Sequence, residues 1–259
     1  MNETSFVFNA MLLASGLFIG MVVMHELGRR IGLRQVQQGD GNLQADSGVV
    51  DGAIFALLGL MIAFTFSGAA TRFEERRKLV IEEANAISSA FVRLDLLPLS
   101  ARADIQQDFR HYIDTRLAAY RAMPDLTAAK AELARAADIY QVIWTKSVAA
   151  SAGSQAATIV LLPELNDMSD LATKRTTAAS THTPTVIFVL LCGLGLLSGA
   201  LVGYSGVNTR RHGWFHIFAF ALAFAGTVYV ILDLEYPRAG LVRLDAYDQT
   251  LVDVRQGMK

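Results

Sequence analysis

The sequence predicts an all-α membrane protein: four transmembrane helices with a helical soluble domain inserted between the second and the third. Three observations predict it. The chain of 259 residues is 53% hydrophobic and only 18% charged, below the roughly 25% charge of an average soluble domain. Its mean hydropathy is +0.35. It contains four apolar stretches of the length that crosses a bilayer, about 20 residues. Between the second and third lies a long polar region whose apolar residues recur at helical spacing, with no β alternation.

The first span reads as Phe6 to Met24. It lacks the basic start of a secretory signal, and Glu26, Arg29 and Arg30 follow it where a small-residue cleavage site would stand, so it is expected to be retained. The second, Val49 to Ala70, carries no charge between Asp51 and Arg72. It passes without a Pro or turn cluster into Thr71-Arg72-Phe73-Glu74-Glu75-Arg76-Arg77-Lys78, so one long helix should leave the lipid and continue into water. Asp51 is expected at its start, where the helix dipole favours an acid. Spans three and four read as Val186 to Tyr204 and Trp214 to Leu232. An even number of spans puts both termini on one side. The expected divisions are 1–70, 71–183, 184–234 and a tail, 235–259.

In the polar region, Ile105, Phe109, Tyr112, Ile113, Leu117 and Tyr120 share one helical face, while Arg102, Gln106 and Arg110 take others. Ser100 is the expected N-cap, with Asp104 in the first turn. Met123-Pro124-Asp125 should break that helix. Leu126 to Ala150, rich in Ala, Glu, Lys and Leu, should form the next, to a break at Gly153. Pro163 is expected to open a shorter helix to about Ala179, and Thr181-His182-Thr183-Pro184 to precede span three.

Several chemistries are excluded or weakened. A net charge of −1 gives no electrostatic footprint for nucleic acid. The single Cys192 has no internal disulfide partner. There is no phosphate loop, Cys-x-x-Cys, His-Glu-x-x-His or nucleophile elbow, so no enzyme and no cofactor are expected. Gly193-Leu194-Gly195 lies within a span and is no dinucleotide fingerprint. His212 and His216 have metal-ligand spacing but no third ligand nearby, and no metal site is expected. Ionisable residues are almost absent from span centres, which weakens a proton-coupled transporter.

Span two also carries small residues, Gly52, Ala56, Gly59 and Ala63, four and three apart, which permit close helix approach in a membrane. Gly195 and Gly199 do the same on span three. In the charged continuation, Glu74–Lys78 and Glu75–Arg76/Lys78 can pair along the helix for a fraction of a kcal/mol each. The same cations can instead ring an aqueous vestibule and concentrate anions.

The run Gly59-Leu60-Met61-Ile62-Ala63-Phe64-Thr65-Phe66-Ser67, then Arg72 to Val80, then Glu82-Glu83-Ala84-Asn85-Ala86-Ile87, resembles the bacterial bestrophin-like domain family. So does Ile231-Leu232-Asp233-Leu234-Glu235-Tyr236-Pro237-Arg238-Ala239-Gly240-Leu241. The resemblance covers most of the chain. The more distant link to true bestrophins, pentameric anion channels, rests on Ala63-Phe64 before Arg72-Phe73 and on the Asp-x-Glu-x-Pro-x-x-Gly after span four. It implies a homo-oligomer, a pentamer, whose pore is lined by span two and which handles small inorganic ions and contacts lipid. By spacing the pore neck would be Ala56, Leu60 and Phe64, on roughly one helical face. Apolar constrictions gate by dewetting, and ring edges tolerate an anion. Ser67 and Thr71 would extend the stripe with hydroxyl donors, and Arg72 and Arg76 would edge the vestibule. Gly52, Gly59 and Ala63 would serve helix packing. An apolar stripe on a membrane helix also faces lipid or a neighbour, so that reading stays open.

Asp233 and Glu235 sit where eukaryotic bestrophins carry a calcium clasp. Pro237-Arg238-Ala239-Gly240 departs from the dense acidic run that the clasp needs, so calcium gating is not implied. Basic residues flank spans on both faces, and charge alone leaves orientation undecided. The resemblance and the cluster Arg72 to Lys78 favour a cytoplasmic soluble domain and a bacterial inner membrane location. The expected function is an anion-conducting channel. The alternative is a non-conducting scaffold or sensor coupling membrane to soluble domain through the second helix.

Overall fold

The computed structural model describes residues 3–38, 44–123, 125–208, 214–238 and 240–258. Among the described residues eight α-helices run in chain order: α1 Glu3–Gln37, α2 Gln44–Arg93, α3 Leu99–Ala122, α4 Leu126–Ser151, α5 Gln155–Ser180, α6 Thr185–Ser205, α7 Trp214–Glu235 and α8 Asp245–Gly257. Short 3₁₀ turns follow α2 and α6. No strand occurs among the described residues. The chain divides into two compact units, one containing 5–71 and 182–236, the other 72–181 and 237–259.

The first unit holds four helices long and apolar enough to cross a membrane, as predicted, which makes this a multi-pass membrane protein. Its interior is Leu17 and Met21 from α1, Leu58 and Ala69 from α2, Leu191 from α6, and Phe224, Val228 and Ile231 from α7. Large apolar side chains also stand exposed on all four helices, among them Ile19, Phe64, Val189 and Leu222. Such an outer face suits hydrocarbon. Glycines set the approach of α1 to α6. A Cβ on Gly199 would come within 2.7 Å of the Met21 carbonyl oxygen, and one on Gly32 within 2.8 Å of the Tyr204 carbonyl oxygen. Gly28 meets the Ala200 carbonyl and Gly203 the His25 carbonyl in the same way. The pattern expected around Gly195 and Gly199 therefore extends to Gly203, and its partner is α1. Gly195 instead lies under the Phe224 ring.

Two boundaries differ from expectation. α1 continues past Met24 to Gln37. Glu26 supports the extension by accepting from Arg29 at 3.0 Å and Arg30 at 2.9 Å, three and four residues on. α2 begins at Gln44, so Asp51 lies inside the helix rather than at its start. There it takes the Ser205 hydroxyl instead of serving the dipole.

The second unit packs the far half of α2 with α3, α4, α5 and α8 around Ile87, Ile105, Phe109, Ile143, Leu161 and Met168. The predicted face of α3 is the buried one. α4 starts where expected, because the Asp125 carboxylate accepts from the Thr127 and Ala128 amides at 3.0 and 3.1 Å. α3 starts one residue before Ser100. Pro98, with φ −55° and ψ 141°, occupies the cap position without a side-chain bond, so Ser100 is not the cap and Asp104 is past the first turn. α5 begins at Gln155 and contains Pro163 internally. Ser154 caps its start by accepting from the Ala157 amide at 3.2 Å. Pro163 removes only the bond to Ile159, a residue on the exposed face, whose carbonyl water can take.

Candidate functional site

Along the membrane half of α2, Leu58, Thr65 and Ala69 are buried, and Ile54, Phe55, Met61 and Ile62 are half-buried. These positions recur three and four apart and form the face that packs within its unit. Thr65 keeps its hydroxyl satisfied there by donating to the Met61 carbonyl at 2.7 Å. Gly52, Ala56, Gly59, Leu60, Ala63, Phe64, Ser67 and Thr71 are all exposed. At about 100° per residue they form one stripe about 140° wide, centred opposite Leu58 and Thr65. Leu60 is 52% exposed and Phe64 68%, against 2% for Leu58. A Cβ added to Gly52 or Gly59 would meet nothing within 4 Å, unlike Gly28 and Gly32 of α1 or Gly199 and Gly203 of α6. The small residues of α2 thus bring no second helix close within the protomer. The residues singled out for the neck and those singled out for packing occupy one open face.

The stripe's polar end differs from the expectation in two respects. Thr71 donates its hydroxyl to the Ser67 carbonyl at 2.9 Å, so that hydrogen is spent inside the helix rather than offered outward. Arg76 does not edge an open vestibule. It is 5% exposed, and its guanidinium donates to the Ala178 carbonyl at 3.0 Å and the Thr181 carbonyl at 2.7 Å. A cation at the end of α5 suits the helix dipole there, and it joins the Thr181 amide on the Ala178 carbonyl. Arg72 is half-buried. The surface pairs differ as well: Glu74 takes Arg77, and Lys78 stands 3.4 Å from Glu82.

Further along α2, Glu83 is fully buried and carries a charge network that the sequence did not reveal. Its two carboxylate oxygens pair with Arg116 of α3 and Arg175 of α5. Arg175 reaches on to Asp248 of α8 at 2.7 Å, and Arg238 holds the same carboxylate at 2.8 and 3.0 Å. The Tyr120 ring lies 3.6 Å from the Arg175 guanidinium, and its hydroxyl donates to Glu83 at 3.2 Å. Burial, and then the Glu83 carboxylate, push the Tyr120 phenol well above its ordinary range. Burial works against the Arg116 and Arg175 charges, but Tyr120 and Glu83 outweigh it and hold both guanidinium groups above theirs.

Other candidates bring no ligand set together. His212 lies outside the described residues, and among them no group of three His, Cys, Asp or Glu residues has metal-holding geometry. Glu235 is buried and accepts from the Thr183 hydroxyl at 2.6 Å and amide at 3.3 Å, which ties the segment before α6 to the end of α7.

Solved structures share this architecture. A variant of a bacterial bestrophin homologue from Klebsiella pneumoniae superposes with a TM-score of 0.71 at 16% identity, covering 95% of this chain and 98% of that one. A second structure of the Klebsiella pneumoniae homologue gives 0.68 at 14% identity over 93% and 97%. At that identity the likeness establishes the fold. No curated protein matches the sequence. The family model of the Bestrophin-like domain matches residues 15–246, and the chain therefore belongs to the bestrophin-like domain family.

Proposed function

We propose that this chain is the subunit of a homo-oligomeric ion channel whose axial path is lined by the exposed stripe of α2. The observation that carries the proposal is the open face itself. Ala56, Leu60 and Phe64 have no cover within the protomer, in a fold shared with bacterial bestrophin homologues. In a ring of copies, such stripes facing an axis give an apolar neck that closes by dewetting and opens by modest widening. Aromatic edges at Phe64 favour anions over cations there, so the channel conducts anions. Gly52, Gly59 and Ala63, flanking the same face, let neighbouring helices approach closely. A pentamer in a bacterial inner membrane, with the soluble unit in the cytoplasm, agrees with the family resemblance and with the basic run after span two.

The continuity of α2 into the Glu83 network favours a second reading, a non-conducting sensor that moves with its soluble unit. Purified protein in a planar bilayer under a salt gradient separates the two. A single-channel current whose reversal potential follows the anion gradient is expected. Silent bilayers containing verified oligomer would sink the channel reading, and a reversal potential that follows the cation would sink the selectivity.

A further inference from the structure

One face of α1 turns away from its own unit. Val23, Leu27, Arg30 and Arg34 fall within about 60° of one another around the helix. They lie opposite Met21, Gly28 and Gly32, which are buried. The apolar part of this side is exposed from Phe8, at 65%, to Leu27, at 46%. From Phe8 to Leu27 the helix rises about 29 Å, close to the roughly 30 Å of a hydrocarbon core. Arg30 and Arg34 follow one and two turns later, where headgroups add roughly 5–8 Å on each side of that core. We propose that Arg30 and Arg34 hold the phosphate of one anionic phospholipid, whose acyl chains lie along Val23 and Leu27.

Both guanidinium groups have donors to give. Arg30 is 65% exposed and spends only its Nε, on Glu26 at 2.9 Å. Among the described residues nothing takes its two terminal nitrogens, and nothing pairs with the exposed Arg34 guanidinium. Side chains on a helix lean towards its N-terminus, as the Arg30–Glu26 pair does, and this lean brings Arg34 back towards the level of Arg30. Two guanidinium forks one turn apart match the paired oxygens of a phosphate. Glu26 offsets one of the two charges and is itself shared with Arg29. Two arginines against one acid leave one positive charge, which a single phosphodiester neutralises. A zwitterionic headgroup brings its own ammonium and leaves that charge in place. The dipole of α1 opposes an anion only in the last turn, which holds Arg34, and Arg30 lies before that turn. The arginines therefore turn a lipid-facing stripe into one that distinguishes lipids by headgroup charge.

Native mass spectrometry of the detergent-solubilised full chain tests this with phosphatidylglycerol and phosphatidylcholine of identical acyl chains. Phosphatidylglycerol should be retained about tenfold more tightly. The Arg30→Gln/Arg34→Gln double variant should bring the two lipids to within about twofold of each other. Its melting temperature in detergent should stay unchanged, because both side chains are exposed and their one ion pair lies on the surface. Glu26→Gln probes the same site in the other direction: freeing Arg30 from its acid should raise the preference for phosphatidylglycerol. Equal retention of the two lipids by the wild type overturns the site. So does a preference that survives in the arginine double variant, or one that fails to rise in Glu26→Gln. Displacement of phosphatidylglycerol by inorganic phosphate at about 10 mM overturns the assignment to a lipid and leaves the arginines to a free oxyanion. None of these readouts depends on ion conduction.

Discussion

A buried carboxylate between two buried arginines makes Glu83 the most consequential single residue of the soluble unit. Removing its charge leaves two guanidinium groups in a low-dielectric interior with one acid fewer between them. Breaking a buried pair in this way costs about 3–5 kcal/mol. Glu83→Gln, which keeps the shape, should lower the melting temperature in detergent by roughly 10 °C. An unchanged melting curve would mean that the network stabilises little. The tyrosines give an independent check. Burial raises the Tyr112 phenol above its ordinary value, as it does that of Tyr120. A group whose folded pKa is raised contributes stability that is present below its unfolded value, near 10, and lost as pH rises through the folded one. Both phenols should therefore remain protonated at about pH 11 in the folded protein and ionise together with alkaline unfolding. Absorbance of phenolate against pH, followed beside circular dichroism, checks this. Full ionisation of every tyrosine before any loss of helix would contradict it.

At the scale of elements, the seam between α1 and α6 is set by glycines on both helices. Gly203→Val forces a side chain against the His25 backbone and should prevent folded protein from accumulating, whereas Gly16→Val, with nothing within 4 Å of its Cβ, should be tolerated. Yield of monodisperse protein after mild extraction reads both. Equal yields would show that the helices separate at little cost. The seam was half legible. Gly195 and Gly199 stood out in an apolar run, but nothing in the sequence set Gly199 against Met21 of α1 or Gly195 under the Phe224 ring of α7, because helix partners are a tertiary matter. The spans were legible because a bilayer demands an uninterrupted apolar run of fixed length. The stop of α1 was not, since Glu26, Arg29 and Arg30 are as content on a helix surface as in a loop. Pro163 misled for a related reason: proline favours a first turn, but the Ser154 cap lay earlier, and an exposed helix face absorbs the lost bond. Glu83 was unreadable beside Glu82, because its partners Arg116, Tyr120 and Arg175 stand 33 to 92 positions away and only the fold brings them together.

For the whole molecule, the open α2 stripe distinguishes assembly from conduction. A side chain at Gly59 meets nothing within 4 Å in the protomer, so Gly59→Leu should leave the monomer folded. It should nevertheless disrupt close contact between copies, and mass measurement in mild detergent should shift from a homo-oligomer towards monomer. A wild type that is strictly monomeric under those conditions would remove the axial path altogether. Given assembly, the neck is decided by shrinking it. Leu60→Ala and Phe64→Ala remove bulk from an exposed face, at little cost to the protomer core, and should widen the constriction and lower its dewetting barrier. Both variants should assemble and carry more current than wild type, or lose closure. Phe66, also exposed, sits about 120° around the helix from Leu60. Phe66→Ala removes a similar volume from outside the stripe, and conductance should hardly change. If Phe66→Ala raises the current as much as Phe64→Ala does, the effect comes from general loosening, and α2 turns some other face to the ions. If neither changes it, the stripe faces lipid or a neighbouring subunit, and its exposed side chains serve the membrane instead of a pore.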